Sequence, residues 1–406
     1  MLECSPPLPI VLDYTHLTRR WTEEDEDGIL LALRHHARLH RICLFVPPSH
    51  ESKLFVAIEK EFPMLEYLYI EFSPLANLRP GLDIYSTFQA PRLCHLALTR
   101  CPFLVTSSSL TTSTGLVTLT LMLEPRSRHH PYDLFRRLPL LSQLVVLRIG
   151  ISWILSTHEL EGQRLDIPYI THLTLPNLRL FEFDGEINYL ETLLPLMTTP
   201  LLEKLQITLS KLTAPLPIYT FPCLLQFMSK ADGLGFASAE FFFRVRQVTV
   251  WVYPREGAIE HVFCLRIYCG QFSRQVSDMA SIFEDLSPAF SAVDDLTIDY
   301  SGHKAHNSLY GEDPRPMQWC DLLRSFNHAK TLRVHSVFAE NFSRSLLSDG
   351  EPLPEVLPEL QVLECPVGCD ASAAFATFVH ARNAAGHPMR LILVDPPGRS
   401  PTSTDL

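Results

Sequence analysis

The sequence has no window approaching the roughly 18 consecutive apolar residues of a membrane-crossing helix, so no helical anchor is expected. Lysines and arginines never gather into a block longer than a few residues, and the net charge is −11 at pH 7. Such a surface repels phosphate backbones, and nucleic acid is not an expected partner. The opening MLECSPPLPIVLDY has no basic lead, and its short apolar run is broken by proline, unlike a secretory signal. The ten cysteines include no C-x-x-C pair, and Cys43, Cys94, Cys264 and Cys365 fall inside predicted strands. That is the pattern of buried free thiols in a reducing compartment, so a cytoplasmic or nuclear location is expected.

Catalytic signatures are missing too. There is no G-x-S-x-G, no G-x-x-x-x-G-K-[ST] and no H-E-x-x-H, and Gly233 and Gly235 do not extend into a dinucleotide fingerprint. We therefore expect no catalytic residues, no cofactor and no metal. His36 and His40 are four apart, but nearby Cys43 falls on a different predicted element. His129 and His130 read as surface residues of a loop beside Arg126 and Arg128. Without secretion, the sequon Asn341-Phe-Ser343 has no expected use.

What the chain does have is one recurring frame. FPMLEYLYI (residues 62–70) reads Pro-x-Leu-x-x-Leu-x-Ile, and it returns as APRLCHLAL, LPNLRLFEF, TPLLEKLQI and LPELQVLEC. Copies without the proline are Leu39/Ile42/Leu44, Leu116/Leu119/Leu121, Leu144/Leu147/Ile149, Val293/Leu296/Ile298 and Ala329/Leu332/Val334. Proline cannot continue a helix and donates no N–H, so it reads as the point where one element ends and an extended one opens. The three apolar positions then fit a strand with alternate side chains in a core, which is the leucine-rich-repeat strand signature. The first five copies start at residues 39, 65, 93, 116 and 144, close to the roughly 20 to 29 residues of such repeats. Cys101, and serines 73, 152, 210 and 301, stand where that signature places a small polar residue to satisfy turn backbone.

The expected fold is α/β: an irregular leucine-rich-repeat-like solenoid, with a curved parallel sheet and helices or loops on its convex side. It occupies residues 1–395 as one domain, becomes irregular after about 210, and is followed by a disordered tail at 396–406. With 406 residues and 46% hydrophobic content, the chain can bury a large core. PLPIVLDY is an opening strand. Thr22 caps a helix whose first turns carry Glu23, Glu24, Asp25, Glu26 and Asp27, and whose apolar stripe holds Ile29, Leu30, Leu33 and Ala37. That acidic run has a second reading as a dock for a basic partner. Further helices are expected over 51–61, 132–138, 189–197, 276–290, 318–326 and 371–385, the last stopped by Gly386, with a loop over 107–114 and a closing strand MRLILV. RVRQVTVWVYP and HVFCLRIYC alternate at period two, which predicts a β-hairpin insertion near 245–269.

If the strands stack, the residues between the leucines line one concave face: Arg41, Tyr67, Tyr69, His95, Thr118, Thr120, Arg148, Glu182, Lys204, Gln206, Asp295, Asp299, Arg333 and His335. Arginine and aromatic side chains supply much of the affinity of protein interfaces, so Tyr67, Tyr69 and Arg148 are the expected anchors. The alternative is a solvated face with no ligand.

Taken together, PPLPIVLDYT, RRWTEEDEDGILLAL, FPMLEYLYI, TFQAPRLCHLAL, TGLVTLTL, THLTLPNLRLFEF, YLETLLPLMTTPLLEKLQI, VWVYPREGA and LLRSFNHAKTLRV resemble a large family of fungal (basidiomycete) F-box proteins with leucine-rich-repeat-like regions, over residues 6 to 395. The resemblance implies an N-terminal F-box that docks the Skp adaptor of a cullin-based ubiquitin ligase, with repeats that hold a protein substrate. This chain departs from that pattern, since no F-box is expected ahead of Pro6 and the LPEVL at 353–357 is read as a chance echo. A Skp-type adaptor is then a partner only if an F-box lies upstream, and the substrate-holding half alone carries over. The expected function is a non-enzymatic protein-binding domain, the substrate-recognition part of such a receptor. Left open are an interaction scaffold without a ubiquitin role and an enzyme with a composite site.

Overall fold

The computed structural model describes residues 8–15, 21–73, 88–100, 113–123, 137–151, 172–209, 221–231, 233–255, 258–269, 272–300, 316–348, 351–352, 356–366 and 372–394. The chain is α/β and divides into two compact units, Met1–Glu203 and Lys204–Leu406.

The first unit contains, in order, β1 (Ile10–Tyr14), α1 (Glu23–Arg34), β2 (Leu39–Val46), α2 (Glu51–Ile58), β3 (Tyr67–Phe72), β4 (His95–Thr99), β5 (Thr118–Leu123), β6 (Val146–Ile151), β7 (Leu173–Thr174), β8 (Leu180–Gly185), α3 (Ile187–Leu193) and β9 (Met197–Thr198). Strands β1-β2-β3-β4-β5-β6-β8 pair in that order, every pair parallel. The register places Leu12, Ile42, Leu68, Leu96, Leu119, Leu147 and Phe181 in one row. A second row runs through Leu44, Ile70, Leu98, Leu121, Ile149 and Phe183, and every member of both is buried. This is the row that the L-x-x-L-x-L frame demands, because a slip of one residue would turn each leucine to solvent.

The proline of the frame has a sharper use than ending an element. It is the second residue of a four-residue turn, the position its fixed φ suits. In each turn the N–H of the first frame residue donates to the carbonyl three residues back: Leu65 to Phe62, Leu93 to Ala90, Leu178 to Leu175 and Leu202 to Thr199, at 3.0 to 3.3 Å. Copies without proline keep the bond, as in Leu116 to Ser113 (3.2 Å) and Leu144 to Leu141 (3.1 Å). The residue before the proline is itself buried, which adds one core position per copy to the frame. In a copy without proline, Ser113 holds the equivalent position, and its hydroxyl donates to the Ala90 carbonyl at 2.8 Å, so the buried oxygen is satisfied.

Helix α1 opens with a capping box: Thr22 Oγ1 accepts from Asp25 N (3.2 Å), and the Asp25 carboxylate accepts from Thr22 N (2.9 Å). The buried Glu26 holds Lys53 at 3.0 Å and His50 at 3.2 Å, tying α1 to the start of α2. Two members of the acidic run thus have structural work.

The second unit contains β10 (Lys204–Leu209), α4 (Pro222–Lys230), β11 (Ser238–Arg244), β12 (Gln247–Tyr253), β13 (Phe263–Tyr268), α5 (Phe272–Leu286), β14 (Asp295–Tyr300), α6 (Pro316–Arg324), β15 (Thr331–Val334), α7 (Ser336–Ser345), β16 (Leu347–Ser348), β17 (Glu351–Pro352), β18 (Val362–Pro366), α8 (Ser372–Ala384) and β19 (Arg390–Val394). Its sheet runs β10-β13-β12-β11-β14-β15-β18-β19. The expected hairpin is present as β12 and β13, but it belongs to a three-stranded antiparallel meander with β11. The meander enters the sheet in reverse: β13 pairs parallel with β10, and β11 pairs parallel with β14. Because the insertion has an odd number of strands, only β12 opposes the others, and the parallel ladder resumes at β14. The sequence hides β11 because consecutive Phe241, Phe242 and Phe243 mask its alternation.

Two unforeseen helices, α4 and α7, also lie in this unit. Gly386, at φ +87°, stands just beyond α8, where a Cβ would be strained. Cys101, Ser152, Ser210, Ser301, nearly all of the 107–114 loop, most of the 132–138 helix and the 396–406 tail lie outside the described residues. Ser73 is described, and its N–H donates to the Val46 carbonyl at 3.0 Å.

Candidate functional site

Strand alternation leaves each sheet with a second face, and in the first unit the register resolves it into rows. One row is Val11, Arg41, Tyr67, His95, Thr118, Val146 and Leu180; the next is Asp13, Cys43, Tyr69, Ala97, Thr120, Arg148 and Glu182. Arg41, Tyr67 and His95 form a continuous line of contacts along the first row, the guanidinium over the Tyr67 ring and the two rings tilted by 40°. The Arg41 guanidinium lies 4.3 Å from the Tyr67 ring centroid, and the Tyr67 and His95 rings are 5.7 Å apart. Arg41 also donates to Cys43 Sγ at 3.2 Å, a contact that helps raise the guanidinium pKa. Arg41 and His95 are exposed, while Tyr67 and Tyr69 are half-buried.

The Tyr69 hydroxyl donates to Glu71 Oε2 at 2.6 Å, and Arg100 Nη1 reaches Glu71 Oε1 at 3.2 Å. Burial, reinforced by the Glu71 carboxylate, pushes the Tyr69 phenol up to about 12, so it remains a neutral donor. Arg148 is engaged with the neighbouring strand, its Nε donating to Glu182 Oε2 at 2.9 Å.

In the second unit, Lys204 and Gln206 are half-buried on β10, and Gln206 Nε2 is 3.2 Å from His261 Nε2. Arg333 on β15 is held from both sides: Nη1 reaches the two Asp295 oxygens at 2.7 Å each, and Nε reaches Glu364 Oε2 at 2.8 Å. Burial lowers the Arg333 pKa, but the hydrogen bonds and charges of Asp295 and Glu364 outweigh it and leave it raised. Two residues expected to be solvated on this face are not. Asp295 keeps its place on the face but is buried in its ion pair with Arg333, and His335 lies beyond β15 as the N-cap of α7, its Nδ1 accepting from Val337 N at 3.2 Å.

Sequence reasoning missed the meander's contribution, although alternation along QVTVWVY carries the signal. Register places Glu240, Trp251, Cys264 and Gln206 in one row with Thr297 and Arg333. Tyr253 donates to Glu240 at 3.3 Å, and the Phe242 and Trp251 rings are 5.4 Å apart. Burial raises the pKa values of Glu240 and Asp299, the latter opposed by His335.

The arrangement supplies aromatic area, the exposed Arg41 guanidinium and hydrogen-bonding groups fixed on strands. Among the described residues no group of three or more His, Cys, Asp or Glu is placed to hold a metal ion, and no helix is long and apolar enough to cross a membrane. The described cysteines are free thiols, with Cys43, Cys264, Cys269, Cys320 and Cys365 buried. Compared with known proteins, the chain matches no family model and no curated protein sequence.

Proposed function

We propose that this chain is a leucine-rich-repeat-like solenoid that binds a protein through the open face of its sheet, with Arg41, Tyr67, Tyr69 and His95 as the grip. The observation that carries this reading is the Arg41–Tyr67–His95 line of contacts, in register on three adjacent parallel strands with both end residues exposed. An arginine and aromatic rings held in contact on rigid strands lose little conformational freedom on binding, which is the property of interface anchors. Arg148 and Arg333 take a secondary place, because a partner must compete with Glu182, Asp295 and Glu364 for them.

The resemblance to fungal F-box proteins supports reading the bound protein as a ubiquitin-ligase substrate. Paired replacement of Tyr67 and Tyr69 by Ala tests the grip. The fold, followed by circular dichroism, is expected to persist, while partner affinity falls at least about tenfold, the equivalent of 1.4 kcal/mol. Unchanged capture would remove the open face from the account. The ligase half is tested separately, by whether the protein isolated from its own cells carries a Skp-type adaptor.

A further inference from the structure

Helices α1 and α2 pack against the buried side of the first unit's sheet: Phe55 of α2 stacks on Phe72 of β3 at 5.1 Å, on the side away from Tyr67 and Tyr69. Both helices have sides turned to solvent. Helix α2 buries Leu54, Phe55 and Ile58, which leaves Lys53, Val56 and Ala57 at the i, i+3, i+4 spacing of one outward stripe, with Lys60 just past the helix end. Helix α1 buries Ile29, Ala32 and Leu33 and presents Leu30 and Arg34, one turn apart. Between the two stripes lies a groove of about 570 Å³.

The groove has an apolar floor and a basic rim. Val56 is 70% exposed, although a valine gains nothing from water there. Lys53 is engaged by Glu26, whereas Arg34 and Lys60 have no carboxylate partner among the described residues. Among the described residues no acid lines the groove, in a chain whose net charge is −11. The acids of α1 are concentrated in its first turn, at the other end of the helix from Arg34.

We infer that the α1–α2 groove seats an acidic amphipathic helix of a partner protein, its apolar stripe on Leu30, Val56 and Ala57 and its carboxylates on Arg34 and Lys60. Two adjacent helices present ridges into which a third helix packs, and an apolar stripe read at i, i+3, i+4 is the usual code of such grooves. The flanking cations select acidic over basic helices and speed their approach. This site is separate from the open sheet face and does not depend on it.

The test is selection from a display library of short helical peptides with a fixed leucine stripe and all other positions drawn from Glu, Lys and Ser, using the whole chain as bait. The expected winners are rich in Glu, bind more weakly as salt rises, and lose at least about tenfold in affinity to the Arg34→Glu/Lys60→Glu variant and to Val56→Asp. The same peptides should bind the Tyr67→Ala/Tyr69→Ala variant unchanged, which separates this site from the open face. All replaced groove residues are solvent-accessible, and a thermal melt confirms that each variant is folded; Arg34→Gln/Lys60→Gln repeats the measurement with a milder change. Recovery of neutral or Lys-rich winners, of winners indifferent to these substitutions, or of no binder at all overturns the inference.

Discussion

In the first unit the buried rows are almost entirely Leu and Ile, closing at Phe181 and Phe183; in the second unit rings from strands and helices cluster on the buried side of its own sheet. There, Phe241 of β11 meets Phe283 of α5 at 5.0 Å, while Phe243 meets Phe272 at 5.5 Å and Trp319 of α6 at 5.8 Å. The difference follows from what crosses the sheet. The reversed meander obliges the chain to pass back over its own strands through the fifteen-residue α5, and a helix of about 10 Å diameter needs long, rigid side chains beneath it. The regular repeats keep Leu and Ile in their two central rows and place a few rings, such as Phe55 and Phe72, beside them, whereas the interrupted region gathers its rings into one cluster.

The comparison is broken most severely by truncation. Phe283→Ala is expected to cost about 3–5 kcal/mol and Leu119→Ala about 2–5 kcal/mol in urea denaturation. If Phe283→Ala proves the milder of the two, the rings are filling rather than holding the second unit.

The units also differ in their buried carboxyls. Burial pushes Asp278 on α5 up to about 6, against the pull of Arg274. Since this folded-state value exceeds the ordinary 3.8, Asp278 favours folding most at low pH, and that contribution is lost as pH rises through about 6. Asp278→Asn should therefore raise stability at pH 7.5 by about 1–3 kcal/mol and add little at pH 4. Glu26 in the first unit runs the other way. Burial alone raises it, but Lys53 and His50 hold it below the usual range, so its contribution is present at neutral pH and lost on acidification. Glu26→Gln should cost on the order of 1–2 kcal/mol at pH 7, with a smaller loss as pH falls. Thermal melts of both variants across pH check the opposite signs.

The smallest effect belongs to the turns. Pro91→Ala keeps the Leu93 to Ala90 hydrogen bond and frees only the unfolded chain, a loss of about 0.4–1 kcal/mol. A larger loss would mean that the ring packs as well as turns.

Much of this was legible in the residues. The recurrence of L-x-x-L-x-L, with Leu68, Leu96, Leu119 and Leu147 at its middle apolar position, is enough to predict neighbouring parallel strands with one buried row, because only one register hides them all. The Thr22 cap and the stop at Gly386 were equally readable. The meander's reversed order was not, since alternation reveals strands but not their neighbours. The engagement of Arg148 and Arg333 was hidden for the same reason: Glu182, Asp295 and Glu364 are 31 to 38 positions away and become partners only once the strands are laid side by side.

The open face can be tested directly by replacing Tyr67 with a photo-crosslinking phenylalanine analogue, in parallel with Leu140, which is 50% exposed in the turn before β6 and not on a strand. In native extract, irradiation is expected to give a discrete protein adduct from position 67 only, abolished by Arg41→Ala/His95→Ala. Adducts that are the same from both positions, or that persist in that variant, would contradict the account.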